Sequence, residues 1–307
     1  MKSNTSKIYE IDVLEGFKMI PDKSQDLIIA DPPYYKAINE KWDKQWKTER
    51  EYLDWCRLWF AECVRVLKDT GSFYCYGNFD ILSKQKVLIF DDVLNFRQNI
   101  TLSKGLKSIA GRTSDKMRMF PTASEYLLFY TKQTDDYVKD YFKNLLKIHN
   151  KKASDFNKWM WKKGYVNNKS NIASHLFGNN DQVKVPSEKL LKCVNEFFGG
   201  IDFERFTFNL PIGQTDVWDF TPDKVRYGHP TQKPQAICQR IIKASSNEGD
   251  NVLIPFAGSG SECVACDTLN RNYIAFENDN HNWVIAQKRV EENKKELDAP
   301  TLFNAQN

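Results

Sequence analysis

Strand-like and helix-like patterns alternate in both terminal parts of the chain, and this alternation constrains the fold more than any other feature. Residues 26–30 form an apolar run of strand length, and residues 49–68 repeat large apolar side chains at near-helical spacing. The alternation returns after residue 234, where strand patterns at 251–254 and 272–277 flank a helical pattern. Strands joined by helices predict an α/β fold with a doubly wound, mostly parallel sheet.

The alternation breaks between about residues 131 and 214, where lysine, asparagine and aromatic residues are abundant. We interpret this stretch as an inserted module with a small fold of its own. The sequence therefore predicts three segments: residues 1–130, an insert over residues 131–214, and residues 215–307 as the continuation of the first fold.

Positive charge is concentrated in the predicted insert. The net charge of the whole chain is only +4, but the stretch from Lys132 to Glu196 contains thirteen lysines against seven acidic residues, so it carries about +6. The remainder is slightly negative. A local basic bias fits contacts with phosphate groups, and charge alone fits a solvated surface equally well.

Composition favours a cytoplasmic globular protein. Hydrophobic residues make up 41% of the 307 positions and charged residues 27%, and no apolar stretch approaches the length needed to cross a bilayer. The amino-terminal residues contain no signal-peptide core. The seven cysteines are odd in number and lie mostly within apolar patterns, which predicts reduced thiols in the core and no metal site.

The tetrapeptide Asp31-Pro32-Pro33-Tyr34 follows the apolar run at residues 26–30. Two prolines end a strand and stiffen the loop after it, because proline has a fixed φ and no N–H. The Asp31 carboxylate and the Pro32 carbonyl can both accept hydrogen bonds from one exocyclic amine, and the Tyr34 ring can stack on the heterocycle that carries it. The motif therefore suits a flat substrate with an amino group, although a Pro-Pro turn after a buried strand has the same sequence.

A glycine turn follows the predicted strand at residues 251–254. Phe256, Gly258, Ser259 and Gly260 form a Phe-x-Gly-x-Gly turn before a helix, and Glu277 ends the next strand. The glycines allow close approach of a ligand, and an acid at the second position binds ribose hydroxyls in doubly wound folds. Cys263 occupies the third glycine position of the dinucleotide fingerprint. The pattern fits an adenosine-containing cofactor and leaves a dinucleotide and S-adenosylmethionine both open.

The segment His229-Pro-Thr-Gln-Lys-Pro precedes the last helix–strand–glycine unit. Together with the Asp31 tetrapeptide and the glycine turn, it resembles the DNA amino-methyltransferases. The order of the parts, with the tetrapeptide first, a central insert and the glycine turn last, is similar to the beta group of these enzymes. The resemblance covers residues 7–130 and 214–285, and implies a Rossmann-like methyltransferase sheet with an inserted target-recognition module.

The resemblance implies S-adenosylmethionine as the cofactor, with the segment around Thr231 and Lys233 holding its methionine end and Asp12 contacting its adenine. The cofactor-binding residues expected on this basis are Asp12, Asp31, His229, Thr231, Lys233, Phe256, Gly258, Ser259, Gly260 and Glu277. Two positions depart from the family pattern. Ile11 replaces a glycine that usually precedes the acid, and Ile254 replaces the aspartate that usually precedes Pro-Phe.

The resemblance also implies the reaction, which is transfer of a methyl group to the exocyclic amine of adenine in duplex DNA. Asp31, Pro32, Pro33 and Tyr34 are the expected catalytic residues. The target base must leave the helix to be reached, and stacking on Tyr34 would offset part of the cost of unstacking. The chain contains no Pro-Cys pair, which argues against the cytosine methyltransferases that attack through a cysteine.

Candidate DNA contacts lie in two regions. The first is a stretch after a predicted strand, with Lys104, Lys107 and Arg112, and the second is the insert, with Lys151, Lys152, Lys162 and Lys163. Trp159 and Trp161 stand among the insert lysines. Core packing is the expected role for these paired tryptophans, with wedging into DNA as the alternative.

Several alternatives remain open at the level of sequence. The same fold methylates cytosine amines, usually with serine in place of Asp31, and RNA is a further substrate class. A catalytically inactive DNA-binding homologue is hinted at by Ile254. A dehydrogenase would need the complete glycine fingerprint and an amino-terminal nucleotide half. A cognate restriction endonuclease and a second copy of the chain, forming a homodimer, are partners that the resemblance suggests.

Overall fold

The structure is a computed structural model. It describes residues 6–298 with the exception of residues 38, 106–117, 119, 133–134, 168–169, 179–187, 200–213, 222, 224, 226 and 229–230. The chain separates into two compact units, one formed by residues 1–132 and 211–307 and the other by residues 133–210.

The first unit contains an eight-stranded sheet among the described residues, in the order β1-β8-β7-β2-β3-β5-β4-β6. The strands are β1 (Lys7–Glu10), β2 (Gln25–Ala30), β3 (Leu67–Gly77), β4 (Asn95–Ser103), β5 (Ser124–Thr131), β6 (Val217–Asp219), β7 (Asn251–Ile254) and β8 (Asn272–Glu277). Neighbouring strands are parallel except where β5 pairs with β3 and β4. The predicted mostly parallel α/β sheet is confirmed.

Helices connect these strands. The first unit contains α1 (Val13–Phe17), α2 (Glu49–Val66), α3 (Phe79–Gln85), α8 (Gln235–Ser245), α9 (Ser261–Thr268) and α10 (Asn280–Asp298), and the second contains α4 (Asp135–Ile148), α5 (Ala153–Lys162), α6 (Ala173–Phe177) and α7 (Glu188–Phe198). A short 3₁₀ turn at Lys41–Asp43 and a π turn at Lys86–Phe90 complete the described elements of the first unit. None of the helices within the described ranges is long and apolar enough to cross a membrane.

Helix α2 provides much of the hydrophobic core of the first unit. It begins at Thr48, whose hydroxyl accepts a hydrogen bond from the Glu51 backbone N–H at 3.2 Å. Its buried residues recur every three or four positions and include Tyr52 and Trp59. The Trp59 ring is fully buried, with its centroid 5.4 Å from that of Phe256 in the glycine turn. The core of the sheet is therefore continuous with the predicted cofactor loop.

Five parallel strands bring the predicted functional motifs to one edge of the sheet. β1, β8, β7, β2 and β3 are adjacent and run in the same direction. Asp12 follows β1, Asp31 follows β2, Phe256 follows β7, and Glu277 is the last residue of β8. These residues are far apart in sequence, and the common strand direction places them at the carboxyl edge, where open α/β sheets bind ligands.

Strand β6 and helix α3 were not expected from the sequence. Strand β6 has only three residues, and Thr101, Leu102 and Ser103 of β4 pair with it in parallel. Such a short strand has too little internal pattern to be recognised, because it depends on pairing with a residue more than a hundred positions away.

The second unit is helical in the part that the structure describes. Its core is aromatic and includes Phe142, Phe156 and Phe197, with Trp159 packed against it. The Trp159 ring centroid lies 5.7 Å from that of Phe197, and the indole N–H of Trp161 donates to the Ser170 carbonyl at 3.1 Å. The expectation that these tryptophans pack within the insert is confirmed for Trp159. All seven cysteines of the chain are buried as free thiols.

Helix α10 packs closely on the glycine turn. Gly260 has a φ of +75°, and a Cβ at this position would lie 3.0 Å from the Cβ of Ala286 and 3.1 Å from its Cα. The buried Arg289 guanidinium donates to the Ser259 carbonyl at 2.7 Å and to the Ser261 hydroxyl at 3.0 Å. Backbone conformation, helix contact and hydrogen bonds together fix the shape of the turn.

We expect Gly260→Ala to destabilise the protein more than Gly249→Ala does. Gly249 also has a positive φ, +81°, but a Cβ there would have no neighbour within 4 Å. The control variant therefore measures only the backbone cost of a side chain at positive φ, about 1 kcal/mol in the free energy of unfolding. Gly260→Ala adds the clash with Ala286, so its total loss is expected to be roughly 2 kcal/mol or more. Urea unfolding of both variants measures the difference, and equal losses would contradict the role assigned to the close contact.

Candidate active site

The Asp31 tetrapeptide stands at the carboxyl end of β2, as expected. Five of the six residues of β2 are buried, and Asp31 and the two prolines follow its last residue, Ala30. The Tyr34 hydroxyl donates a hydrogen bond to Asp31 Oδ1 at 2.7 Å. Burial first, and then the Asp31 and Glu125 carboxylates, raise the pKa of Tyr34 well above its usual value, so the phenol keeps its proton and remains a donor. A hydrogen bond within the motif therefore connects its first and last residues.

A second tyrosine holds the backbone of the tetrapeptide. The buried Tyr52 of α2 donates its hydroxyl hydrogen to the Pro33 carbonyl at 2.6 Å, and the Gln85 amide donates to the Tyr52 hydroxyl at 3.1 Å. Prolines lack N–H groups, so the loop can be anchored only through carbonyls and side chains. Tyr52 provides such an anchor from the core.

The chain turns sharply after the motif. Tyr35 and Lys36 both have positive φ values, +54° and +59°. Non-glycine residues rarely adopt this conformation, and it persists where surrounding contacts hold it. The Tyr35 ring packs on Tyr52 with centroids 5.4 Å apart, and the Lys36 backbone N–H donates to the Asp43 carbonyl at 2.8 Å. After this turn, Trp42 and Asp43 line the same cavity as the motif.

The motif opens into a cavity whose empty space, counted together with its open mouth, is about 620 Å³. Its lining combines aromatic and proline surfaces with carboxylates and amides. The lining residues are Asp31, Pro32, Pro33, Tyr34, Ala37, Trp42, Asp43, Thr231, Phe256, Gly258, Glu277, Asn278 and Asn282.

A second cavity of about 430 Å³ adjoins the first and contains the predicted adenine contact. Asp12 lines it together with Ile11 and Trp55. The two cavities share five lining residues: Pro33, Trp42, Phe256, Glu277 and Asn278. The Asp12 carboxylate caps α1 by accepting from the Leu14 backbone N–H at 2.9 Å. The shared walls make a cleft that extends from Asp12 to Asp31.

Glu277 lies where the cavities meet. Its Oε2 accepts the Gly258 backbone N–H at 2.8 Å, and its Oε1 accepts the Asp279 backbone N–H at 2.9 Å. Burial raises the pKa of Glu277 to about 7, although these backbone donors favour the charged form. The Asn278 backbone N–H also favours the charged form, and with about four lone-pair directions the carboxylate keeps at least one for a ligand hydroxyl.

Lys233 lies differently from the sequence expectation. Its ammonium is almost fully buried and forms an ion pair with Asp31 Oδ2 at 2.8 Å, and it donates to the Tyr34 hydroxyl at 3.1 Å. The sequence analysis expected Lys233 to help hold the methionine end of the cofactor, whereas the described contacts connect it to the tetrapeptide. Thr231, from the same segment, lines the larger cavity, and His229 lies outside the described residues.

The candidate DNA contacts are partly engaged within the protein. Lys104 pairs with Glu125, Lys163 pairs with Glu196 at 2.6 Å, and the Lys151 ammonium donates to the Phe197 carbonyl at 2.6 Å. Lys152 and Lys162 are exposed at the two ends of α5. Lys107 and Arg112 lie outside the described residues.

The sequence analysis did not select Tyr52, Glu125, Trp42 or Asn278. Asn278 directly follows Glu277 at the sheet edge, so its position in the sequence could have predicted that it lies at the site. Tyr52 has the spacing of an ordinary core residue of α2, and Glu125 that of an ordinary strand residue. Their positions beside the tetrapeptide arise only from the packing of α2 and β5 onto the sheet.

Comparison with known proteins agrees with the family resemblance found in the sequence. The family model of the N6 and N4 DNA methylases matches residues 25–288. The chain is 28% identical to the type II methyltransferase M.HpaI of Haemophilus parainfluenzae, over 91% of this chain and 72% of that protein. It is 29% identical to the DNA adenine methyltransferase YhdJ of Escherichia coli, over 96% of this chain and 83% of that protein.

A solved structure supports the fold assignment independently. The structure of the M1.HpyAVI–SAM complex superposes with a TM-score of 0.55, covering 92% of this chain and 98% of that one at 18% identity. The chain shares the fold of these enzymes, and since the family model spans most of its length, it belongs to the family of N6 and N4 DNA methylases. The prediction of a DNA amino-methyltransferase is confirmed.

We expect Tyr52→Phe to slow methyl transfer while the protein stays folded. The change leaves the Pro33 carbonyl without its core donor, at a cost of about 1–2 kcal/mol in stability. If a similar amount is lost in the transition state, the rate falls roughly tenfold. Tyr74→Phe is the matched control, because it removes a buried hydroxyl that pairs with Ser245 instead. Equal single-turnover rates in the two variants would rule out an anchoring role for Tyr52.

Proposed function

We propose that this DNA amino-methyltransferase transfers the methyl group of S-adenosylmethionine to the exocyclic amine of adenine in duplex DNA. The observation that carries the proposal is the placement of Asp31 and the Pro32-Pro33 turn at one end of a cleft that continues past Phe256 and Glu277 to Asp12. An amine acceptor and the predicted cofactor-binding residues thus line one continuous cleft.

The cleft fits the cofactor. Apolar surfaces of Phe256, Trp42 and Pro33 suit the adenosine and methionine chains, and Glu277 retains acceptor capacity for ribose hydroxyls. Asp12, at the far end, can accept from the adenine amine. Gly258, with a φ of +50°, lines the larger cavity, so the turn approaches the cleft there without a side chain in the way. When bound, the cofactor supplies an electrophilic methyl group on a sulfonium.

The residues of the tetrapeptide position the nucleophile. An adenine amine is a weak nucleophile because its lone pair is conjugated with the ring. Hydrogen bonds to Asp31 and to the Pro32 carbonyl draw its nitrogen toward tetrahedral geometry and aim the lone pair, so the work is positioning and electrostatics with no covalent enzyme intermediate. The Asp31 carboxylate also stabilises the positive charge that develops on the nitrogen as the methyl carbon–sulfur bond breaks and its electron pair passes to sulfur.

Adenine is favoured over cytosine by two observations. Asp31 stands where cytosine-modifying members of the family tend to have serine, and one relative of the chain is named as a DNA adenine methyltransferase. Amino-methylation of cytosine by the same cleft is the alternative, because the same pair of acceptors would bind a cytosine amine.

The second unit is proposed to recognise the target DNA. Its support is the exposed lysines of α5, Lys152 and Lys162, within a segment that carries about +6 overall. A cytoplasmic location, a cognate restriction endonuclease and a homodimeric assembly stay predictions.

Nucleoside mass spectrometry tests the reaction. Unmethylated DNA incubated with the protein and S-adenosylmethionine is expected to yield N6-methyladenine, and Asp31→Ala is expected to lower the yield by about 100-fold or more because the amine loses its charged acceptor. Asp54→Ala is the control, since Asp54 is exposed on α2 and pairs with Arg50 and Arg57 of the same helix. N4-methylcytosine would overturn the choice of adenine, and the absence of both products would indicate an inactive homologue.

Cofactor affinity is expected to rise with pH through Glu277. Its ionised form accepts ribose hydroxyls, and with a pKa of about 7 this form dominates at pH 8 and is a minority at pH 6. If only the ionised form binds, affinity falls roughly tenfold from pH 8 to pH 6. Calorimetric titration with S-adenosylmethionine at pH 6 and at pH 8 measures the two dissociation constants.

Glu277→Gln separates this effect from titration of the cofactor itself. The variant is expected to bind more weakly at pH 8 and to lose most of the difference between the two pH values. A pH dependence that persists unchanged in the variant would show that a group other than Glu277 is responsible.

A further inference from the structure

A buried triangle of hydrogen bonds lies behind the amine acceptor. Lys233 Nζ is 2.8 Å from Asp31 Oδ2 and 3.1 Å from the Tyr34 hydroxyl, and that hydroxyl donates to Asp31 Oδ1 at 2.7 Å. Each oxygen of the Asp31 carboxylate therefore already accepts one hydrogen bond from the protein. The carboxylate cannot rotate without losing both.

The lysine is held as a cation by its own surroundings. Its side chain is only 5% exposed, and burial by itself would lower the pKa of Lys233, but the Asp31 and Glu125 carboxylates raise it above the usual value. Glu125 lies 4.0 Å from the ammonium. The Tyr76 ring lies on another side of the ammonium, with its centroid 4.9 Å away. The Glu262 carboxyl, at the start of α9, also raises the pKa of Lys233.

Glu125 is itself part of the arrangement. It also pairs with Lys104, and although burial opposes ionisation, Lys233 and Lys104 together lower the pKa of Glu125. The charges thus alternate in space from Lys104 through Glu125 and Lys233 to Asp31. Buried charges are tolerated when they are paired in this way.

We infer that Lys233 is a positioning residue for methyl transfer, which orients the Asp31 carboxylate and Tyr34 toward the substrate amine, and that Glu125 holds Lys233 in place. This inference deepens the proposed function and rests on it. A carboxylate has about four lone-pair directions, so Asp31 can accept Tyr34 and Lys233 and still accept one amine hydrogen. Lys233 already faces two carboxylates, so it acts on the nucleophile side of the reaction and not as the ligand of the cofactor carboxylate.

The first test separates binding from rate in Lys233→Met, which keeps the length of the side chain and removes its charge. Calorimetry without DNA is expected to give a dissociation constant for S-adenosylmethionine within about threefold of the unaltered protein. The single-turnover rate at saturating cofactor and DNA is expected to fall about 100-fold, the scale of a small misplacement of a reacting group. Lys243→Met, an exposed lysine of α8, is the control and should change neither quantity.

The opposite result assigns the lysine to the cofactor. If Lys233→Met weakens S-adenosylmethionine binding tenfold or more while the rate at saturation is preserved, Lys233 holds the cofactor carboxylate and the inference is wrong. If the unaltered protein methylates no DNA, the proposed function fails first. An active unaltered protein and an equally active Lys233→Met variant overturn only the inference.

A second variant distinguishes positioning from simple stabilisation. Lys233→Met leaves Asp31 and Glu125 without their shared cation, so a loss of melting temperature is expected. Glu125 still pairs with Lys104, so the double variant Glu125→Gln/Lys233→Met removes a carboxylate that has kept one of its two cations, and it should recover part of that loss without recovering the rate. Recovery of the rate together with the melting temperature would show a purely structural role. Lys233→Arg, which keeps the charge, is expected to retain more of the rate than Lys233→Met.

Discussion

The common direction of five neighbouring strands is the constraint on which the rest of the molecule depends. Parallel strands end at the same edge of a sheet, and here that edge receives Asp12, Asp31, Phe256 and Glu277 from parts of the chain up to 265 positions apart (277 − 12). No local interaction could assemble these groups. The shape of the cleft and the proposed chemistry of this DNA amino-methyltransferase both follow from this edge.

The tetrapeptide is held rigid by one contact from the core and one within the motif. Two successive prolines remove the backbone donors that would normally secure a loop, and the structure replaces them with contacts to a carbonyl and to a side chain. Tyr52 anchors the Pro33 carbonyl from α2, and Tyr34 binds Asp31 from within the motif. On the cofactor side, Arg289 and the close approach of α10 serve the glycine turn in the same way. Both halves of the site are thus supported by the core.

Charge is distributed differently in the two units. Near the tetrapeptide, carboxylates and ammonium groups are partly or fully buried and paired, as in the contacts of Lys233 with Asp31 and of Lys104 with Glu125. Pairing offsets the cost of desolvation and fixes orientation. In the second unit, Lys152 and Lys162 are exposed to solvent, which suits long-range attraction to phosphate. The same residue type therefore has two physical roles in this chain, decided by burial.

The sequence by itself determined the features that local patterns encode. Strand and helix spacing predicted β2, β7, β8 and α2 to within a few residues, and the tetrapeptide and the glycine turn identified the family. The tertiary structure decided the antiparallel placement of β5, the short strand β6, and the partner of Lys233. The sequence does not show which way a lysine side chain points, so the Lys233 ammonium was assigned to the cofactor because its segment resembles a cofactor-binding one. Which carboxylate it meets depends on how β2, β5 and the segment before α8 pack together, and that is a property of the assembled fold.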